Sequence, residues 1–221
     1  MDSTDTLETR EIIITVPAGD MYGDLTLARD AKGLVLFAHG SGSSRFSSRN
    51  RQVAKALNRA GFTTLLFDLL TVAEDQVDRS TREFRFNIDL LASRLISATE
   101  WVAAQPDMGS LSLGYFGAST GAAAALIAAA ARPEMVDAVV SRGGRADMGG
   151  PALPQVTAPT LLIVGALDDI VIKLNQEAYD MLRCTRHMEI IAGASHLFEE
   201  PGTLEQVEAL AIDWFDTHLR R

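Results

Sequence analysis

The chain has 221 residues, 47% of them hydrophobic, a formal charge of −9 and one cysteine. That length and apolar content exclude a disordered protein and predict one globular domain over residues 1–221, while the negative charge, with no compensating run of Lys and Arg, argues against nucleic acid as a partner. The longest apolar run, Ala122 to Ala131, has ten residues against the roughly 20 needed to cross a bilayer, so no membrane span is expected.

Met1-Asp2-Ser3-Thr4-Asp5 is acidic and polar where an export signal is basic and then apolar. A lone cysteine, Cys184, allows no internal disulfide, and both features point to the cytoplasm. Cys184 falls late in a helical segment and reads as packing. Residues 1 to 10 are polar and are expected to fray.

Glu11 to Val16 and Tyr22 to Ala28 are β-rich runs separated by Pro17-Ala18-Gly19-Asp20, which predicts a turn and an antiparallel opening pair. Leu34 to Ala38 is apolar throughout, as a strand covered on both faces should be. Ser47 to Ala60 puts Val53, Leu57 and Ala60 on one helical face, with Gly61 as its stop. Phe62 to Phe67 is the next buried strand. Ser80 and Glu83 suggest a capping box for a long helix whose stripe is Phe84, Ile88, Leu91, Leu95 and Val102, ending before Pro106.

A strand near 111–116 then runs through Gly117-Ala118-Ser119-Thr120-Gly121 into an alanine-rich helix near 120–131. Val136 to Val140, Thr160 to Val164 and Met188 to Ile191 are further strands, and Thr203 with Gln206 can cap a last helix carrying Val207, Leu210, Ala211 and Trp214. Arg142 to Pro159 has no helical period and reads as a loop or a single turn. Eight strands alternating with helices predict an α/β fold, a mostly parallel sheet with helices on both faces and right-handed crossovers.

In such a sheet ligands bind beyond the carboxyl ends of the strands. His39, Ser119, Asp168, Asp169 and His196 all lie just after a predicted strand, whereas His187 and His218 do not. A serine hydroxyl is a weak nucleophile that needs a base within hydrogen-bonding reach, and the base needs an acceptor to fix its tautomer. Ser119, His196 and Asp168 fit those roles in chain order, with Asp169 as the alternative acid and as a possible helix cap.

The glycine loop His39-Gly40-Ser41-Gly42-Ser43 can turn its amides toward the site, so that those of Ser41 and Thr120 would flank a developing oxyanion. His39 precedes the acid and the base and reads as shaping this loop. A phosphate cradle is the competing reading, but the loop lacks the Gly-Lys-Ser/Thr ending and the Gly-x-Gly-x-x-Gly spacing. Arg142 and Arg145 either reach the mouth of the site, to hold a substrate carboxylate, or are solvated loop residues.

Together the His39 to Gly42 loop, the Gly117 to Gly121 elbow, the Gly165-x-x-Asp168 turn and the Gly193-x-x-His196 loop resemble the α/β-hydrolase superfamily, and within it the dienelactone-hydrolase-like group, over about Leu34 to Leu219. The resemblance implies a serine hydrolase without metal or cofactor, acting on a small-molecule ester. Strict dienelactone hydrolases carry cysteine at the elbow, so Ser119 favours ordinary esters over a dienelactone. Lipases of this superfamily often carry a lid after the sixth strand, for which Arg142 to Thr157 is too short. A thioesterase, lactonase, amidase or acyltransferase would use the same residues, and a binding module could keep the fold without turnover.

Overall fold

The computed structural model describes residues 7–219, in which eight strands form one sheet of order β1-β2-β4-β3-β5-β6-β7-β8. β1 (Glu8–Val16) and β2 (Gly19–Leu27) are the antiparallel opening pair, and β2 pairs antiparallel with β4 (Thr63–Phe67). From β4 onward every pairing is parallel, through β3 (Leu34–Ala38), β5 (Leu113–Ala118), β6 (Ala138–Arg142), β7 (Thr160–Gly165) and β8 (Arg186–Ile191). The five strands from β3 to β7 are buried at every residue, as their unbroken apolar runs require, while the edge strand β8 is partly exposed.

The helices are α1 (Ser48–Arg59), α2 (Val72–Thr81), α3 (Ile88–Ala103), α4 (Thr120–Ala131), α5 (Asp169–Met181) and α6 (Thr203–His218). Val53 and Leu57 of α1 pack with Val207, Ala211 and Phe215 of α6 on one face of the sheet. Leu91 and Leu95 of α3, Ala124 and Leu126 of α4 and Ala178 of α5 cover the other. Among the described residues no helix is long and apolar enough to cross a membrane.

Several boundaries differ from the sequence reading. β1 begins at Glu8, because its register with β2 continues to Leu27, so residues 8–10 are paired; the expectation for residues 1–6 lies outside the described chain. The capping box is Thr71 with Glu74, and it starts α2, a helix that the sequence analysis missed. Arg82 then ends α2 with φ 59°, and α3 starts afresh, capped by Asn87, so Ser80 and Glu83 cap nothing. α6 begins after Gly202; Thr203 donates its hydroxyl to Glu200 O and Gln206 its amide to Gly202 O. Cys184 follows α5 and does not lie in it.

The crossover from Arg142 to Thr160 is more ordered than the loop expected. Ala146–Gln155 forms two short 3₁₀ turns kinked at Gly150, packed against α4 and α5. Pro151 and Pro154 prevent a regular helix there, and the segment builds no lid.

Candidate active site

Ser119 stands between the end of β5 and the start of α4 with φ 51° and ψ −124°, a backbone state that non-glycine residues rarely adopt. Three hydrogen bonds hold it there. Ser119 N–H donates to Arg142 O at 3.4 Å, and Ser119 O accepts from Arg145 N–H at 3.0 Å and Ala122 N–H at 3.1 Å. Arg142 to Arg145 therefore braces the elbow through its backbone.

The flanking glycines are required by close approach. A Cβ on Gly117 would stand 2.5 Å from Ala122 Cα, and one on Gly121 2.1 Å from Ala38 O. The alanine run continues this economy of space: Ala122 to Ala125 are all fully buried. With no bulk on the helix, α4 lies against the sheet and against α3.

The turns that carry Asp168 and His196 meet on the same edge. His196 Nδ1 lies 2.6 Å from Asp168 Oδ2, with the Asp168 side chain mostly buried and the imidazole 39% exposed. Leu167 N–H donates to Ala194 O at 2.9 Å, and a Cβ on Gly165 would stand 2.4 Å from that same oxygen. Gly165 thus admits the base loop, where the sequence suggested only a sharp turn. Glu200 accepts the Ser195 N–H at 3.0 Å, a bond that holds its carboxyl below the usual range and ties down the base loop.

Asp169 is exposed at the first position of α5, away from the imidazole; Asp168 is the N-cap residue, and neither caps the helix through its side chain. Among the described residues the Ser119 hydroxyl makes no hydrogen bond, to His196 or to any other residue. The imidazole lies beside the Arg142 to Arg145 segment that braces the elbow. A Cβ on Gly143, the residue after Arg142, would stand 3.6 Å from His196 Cε1.

His39 is buried, with Nδ1 2.9 Å from Gly40 O and Nε2 accepting the Leu69 N–H at 3.0 Å. That pattern sets the Nδ1–H tautomer, and burial holds the ring below the ordinary imidazole pKa. It shapes the loop and is not placed to take a proton from Ser119. The Ser41 N–H is not free: it donates to Thr120 Oγ1 at 2.9 Å. Gly40 lies against Ser119, where a Cβ would come within 3.0 Å of Ser119 Cβ, and Gly42 has φ 70° beside the Arg85 guanidinium.

Neither expectation for Arg142 matches its surroundings. It is buried, donates Nη2 to Asn50 Oδ1 at 3.1 Å, and has Phe198 6.0 Å from its guanidinium. Burial, with Arg49 adding repulsion, lowers its pKa to about 10. Arg145 is held by Asp147 through two bonds of 2.9 and 2.8 Å.

A cavity of about 420 Å³ is lined on one side by the His39 to Ser44 loop; Ser119, Asp168 and His196 are not among its lining residues. Tyr22, Phe46, Leu70, Val72 and Leu91 give it apolar walls; Asp68, Asp75, Asp78 and Arg85 give it charged ones. Asp78 is buried and accepts from Phe84 N–H, Arg85 N–H and Arg85 Nε, which keeps its carboxyl below the usual range and fixes the arginine. Sequence reasoning missed this wall because its residues come from four separate segments.

The family model of the dienelactone hydrolase family matches residues 25–218. A crystal structure of dienelactone hydrolase from Anabaena variabilis superposes with a TM-score of 0.95 at 54% identity, covering 97% of this chain and 99% of that one. Est1E from Butyrivibrio proteoclasticus, at 13% identity, shares the fold with a TM-score of 0.77 over 93% of this chain and 97% of its own. A Mycobacterium tuberculosis protein named "Putative phosphoribosyl transferase Rv0571c" is 54% identical over 213 residues, 96% of this chain and 47% of the relative. The chain therefore spans about half the length of that relative. On this match and this fold, the chain belongs to the dienelactone hydrolase family of α/β hydrolases.

Proposed function

We propose that the chain is a serine hydrolase of small or soluble carboxylic esters. The observation that carries this reading is the 2.6 Å His196–Asp168 pair standing on the same sheet edge as a serine held at φ 51°. In the proposed cycle Ser119 Oγ attacks the ester carbonyl carbon while His196 Nε2 takes its proton. The C–O bond to the alcohol then breaks, the imidazolium returning the proton to the leaving oxygen. Water repeats the sequence on the acyl-enzyme, with Asp168 holding the ring and stabilising its charged form. The Thr120 amide at the α4 N-terminus and the Ser41 amide would bind the oxyanion.

A lactone is a cyclic ester, so the chemistry named for the Anabaena protein is opened by the same steps and belongs in the substrate panel. The phosphoribosyl transferase name belongs to a protein about twice as long, and the half aligned here is the one with the hydrolase elbow. The cavity beyond the His39 loop is the proposed seat of the substrate's larger group, with mixed apolar and charged walls suited to a soluble ester. Hydrolysis of nitrophenyl acetate and butyrate, of a lactone and of an acyl thioester by the wild type and Ser119→Ala tests the reading. Loss of about three to six orders of magnitude in kcat is expected for esters; equal rates in the two proteins would sink it.

A further inference from the structure

The elbow and the glycine loop meet across a very short gap, with the start of α4 against Ala38 O and Gly40 against Ser119. Backbone contact fixes how near the two segments lie, but a contact is a pivot and leaves the loop free to tilt. Among the described residues one hydrogen bond joins the His39 to Ser44 loop to the elbow: Ser41 N–H to Thr120 Oγ1, 2.9 Å. Thr120 is only 4% exposed, so water does not compete for that acceptor. The loop is also closed on itself by Ser43 N–H to Gly40 O at 3.1 Å. A turn closed in this way moves as a unit: His39 fixes its base through Gly40 O and the Leu69 N–H, and the Ser41 bond is what ties it to the elbow.

We infer that Thr120 is a positioning residue through its side chain as well as the owner of a backbone donor. By accepting the Ser41 N–H, its hydroxyl holds the glycine loop at the α4 N-terminus, with the Ser41 amide beside the Thr120 amide. The inference rests on the acyl-transfer reading above. When the oxyanion forms, the Ser41 N–H is shared between it and the hydroxyl as a three-centre bond. The branched Cβ of threonine restricts χ1 and so keeps Oγ1 on that line.

Thr120→Val removes the acceptor at nearly constant shape, and Thr120→Ser restores it. For nitrophenyl butyrate, Thr120→Val is expected to lower kcat about 10- to 100-fold with KM within about threefold, because a donor aimed at the transition state is displaced. Thr120→Ser is expected to regain at least about tenfold of that loss. In parallel, NMR hydrogen exchange of the Ser41 amide should quicken in Thr120→Val and slow again in Thr120→Ser. A Thr120→Val enzyme as fast as the wild type, or faster, would overturn the inference, as would an unchanged Ser41 exchange rate. If instead Ser119→Ala hydrolyses as well as the wild type, the acyl-transfer reading fails, and the exchange rates alone decide whether Thr120 fixes the loop.

Discussion

Asp168 Oδ2 lies 2.6 Å from His196 Nδ1, while its neighbour Asp169 points to solvent at the start of α5. A one-residue difference in the chain thus separates a paired carboxylate from a free one. Asp168→Asn is expected to lower kcat by about 10³- to 10⁴-fold, since the wrong imidazole tautomer is then held. Asp169→Asn should stay within about threefold, as an exposed substitution does. Steady-state kinetics on one ester decides it, and equal losses in the two variants would refute the assignment.

Glycines around the site fall into two kinds. Gly121→Ala drives a methyl to 2.1 Å from Ala38 O, a backbone atom that cannot yield, and should lower stability by about 3 kcal/mol. Gly193→Ala meets nothing within 4 Å and suffers only its positive φ of 73°, for about 1 kcal/mol. Urea denaturation of the two variants should show that order, and the reverse order would contradict the close approach.

His39 gives a pH dependence of fixed sign. Burial is the largest influence and lowers its pKa, so the unfolded chain takes up the proton first as pH falls. The stability it contributes is present above about pH 6.5 and is lost as pH falls through the lower folded value. Protonation at Nε2 also abolishes the Leu69 N–H bond. As pH falls below about 6.5, the wild type should therefore lose stability more steeply than His39→Gln, measured as unfolding free energy. Parallel curves would show that the ring carries no such linkage.

Arg142 is a buried guanidinium whose hydrogen-bond partner among the described residues is the neutral Asn50, and its Nε is unsatisfied. Removing the charge while keeping the stem should be mild, and removing the acceptor should not. Arg142→Met is expected within about 1 kcal/mol of wild type, whereas Asn50→Ala should cost about 2–3 kcal/mol by leaving the charge without its acceptor. Thermal unfolding compares the two; a larger loss for Arg142→Met would point to an ionic role.

Legibility followed the physics of each segment. β3 to β7 could be read because strands covered on both faces are written as unbroken apolar runs, and the elbow because only glycine fits beside Ala122 and Ala38. α2 could not, since its one buried residue is Asp78 and it offers no apolar stripe to find. Arg142 misled for a similar reason: composition favours solvent for arginine, and only the fold brings Asn50 and Phe198 around it. The Ser41–Thr120 bond joins positions 79 residues apart and leaves no trace in local pattern. That Asp168 and His196 would meet at one edge of the sheet could be expected because topology, more than composition, sets which strand ends share an edge.

The alanine helix behind Ser119 has a consequence for how such a site can change. Ala122 to Ala125 are already nearly as small as side chains come and are fully buried, so α4 has no room for larger ones. Phe46 and Val72, by contrast, are exposed, and with Leu70 and Leu91 they line the open cavity from segments that carry none of Ser119, Asp168 and His196. Under the proposed ester-hydrolase reading, a library aimed at new substrates should therefore diversify those four positions and leave α4 untouched.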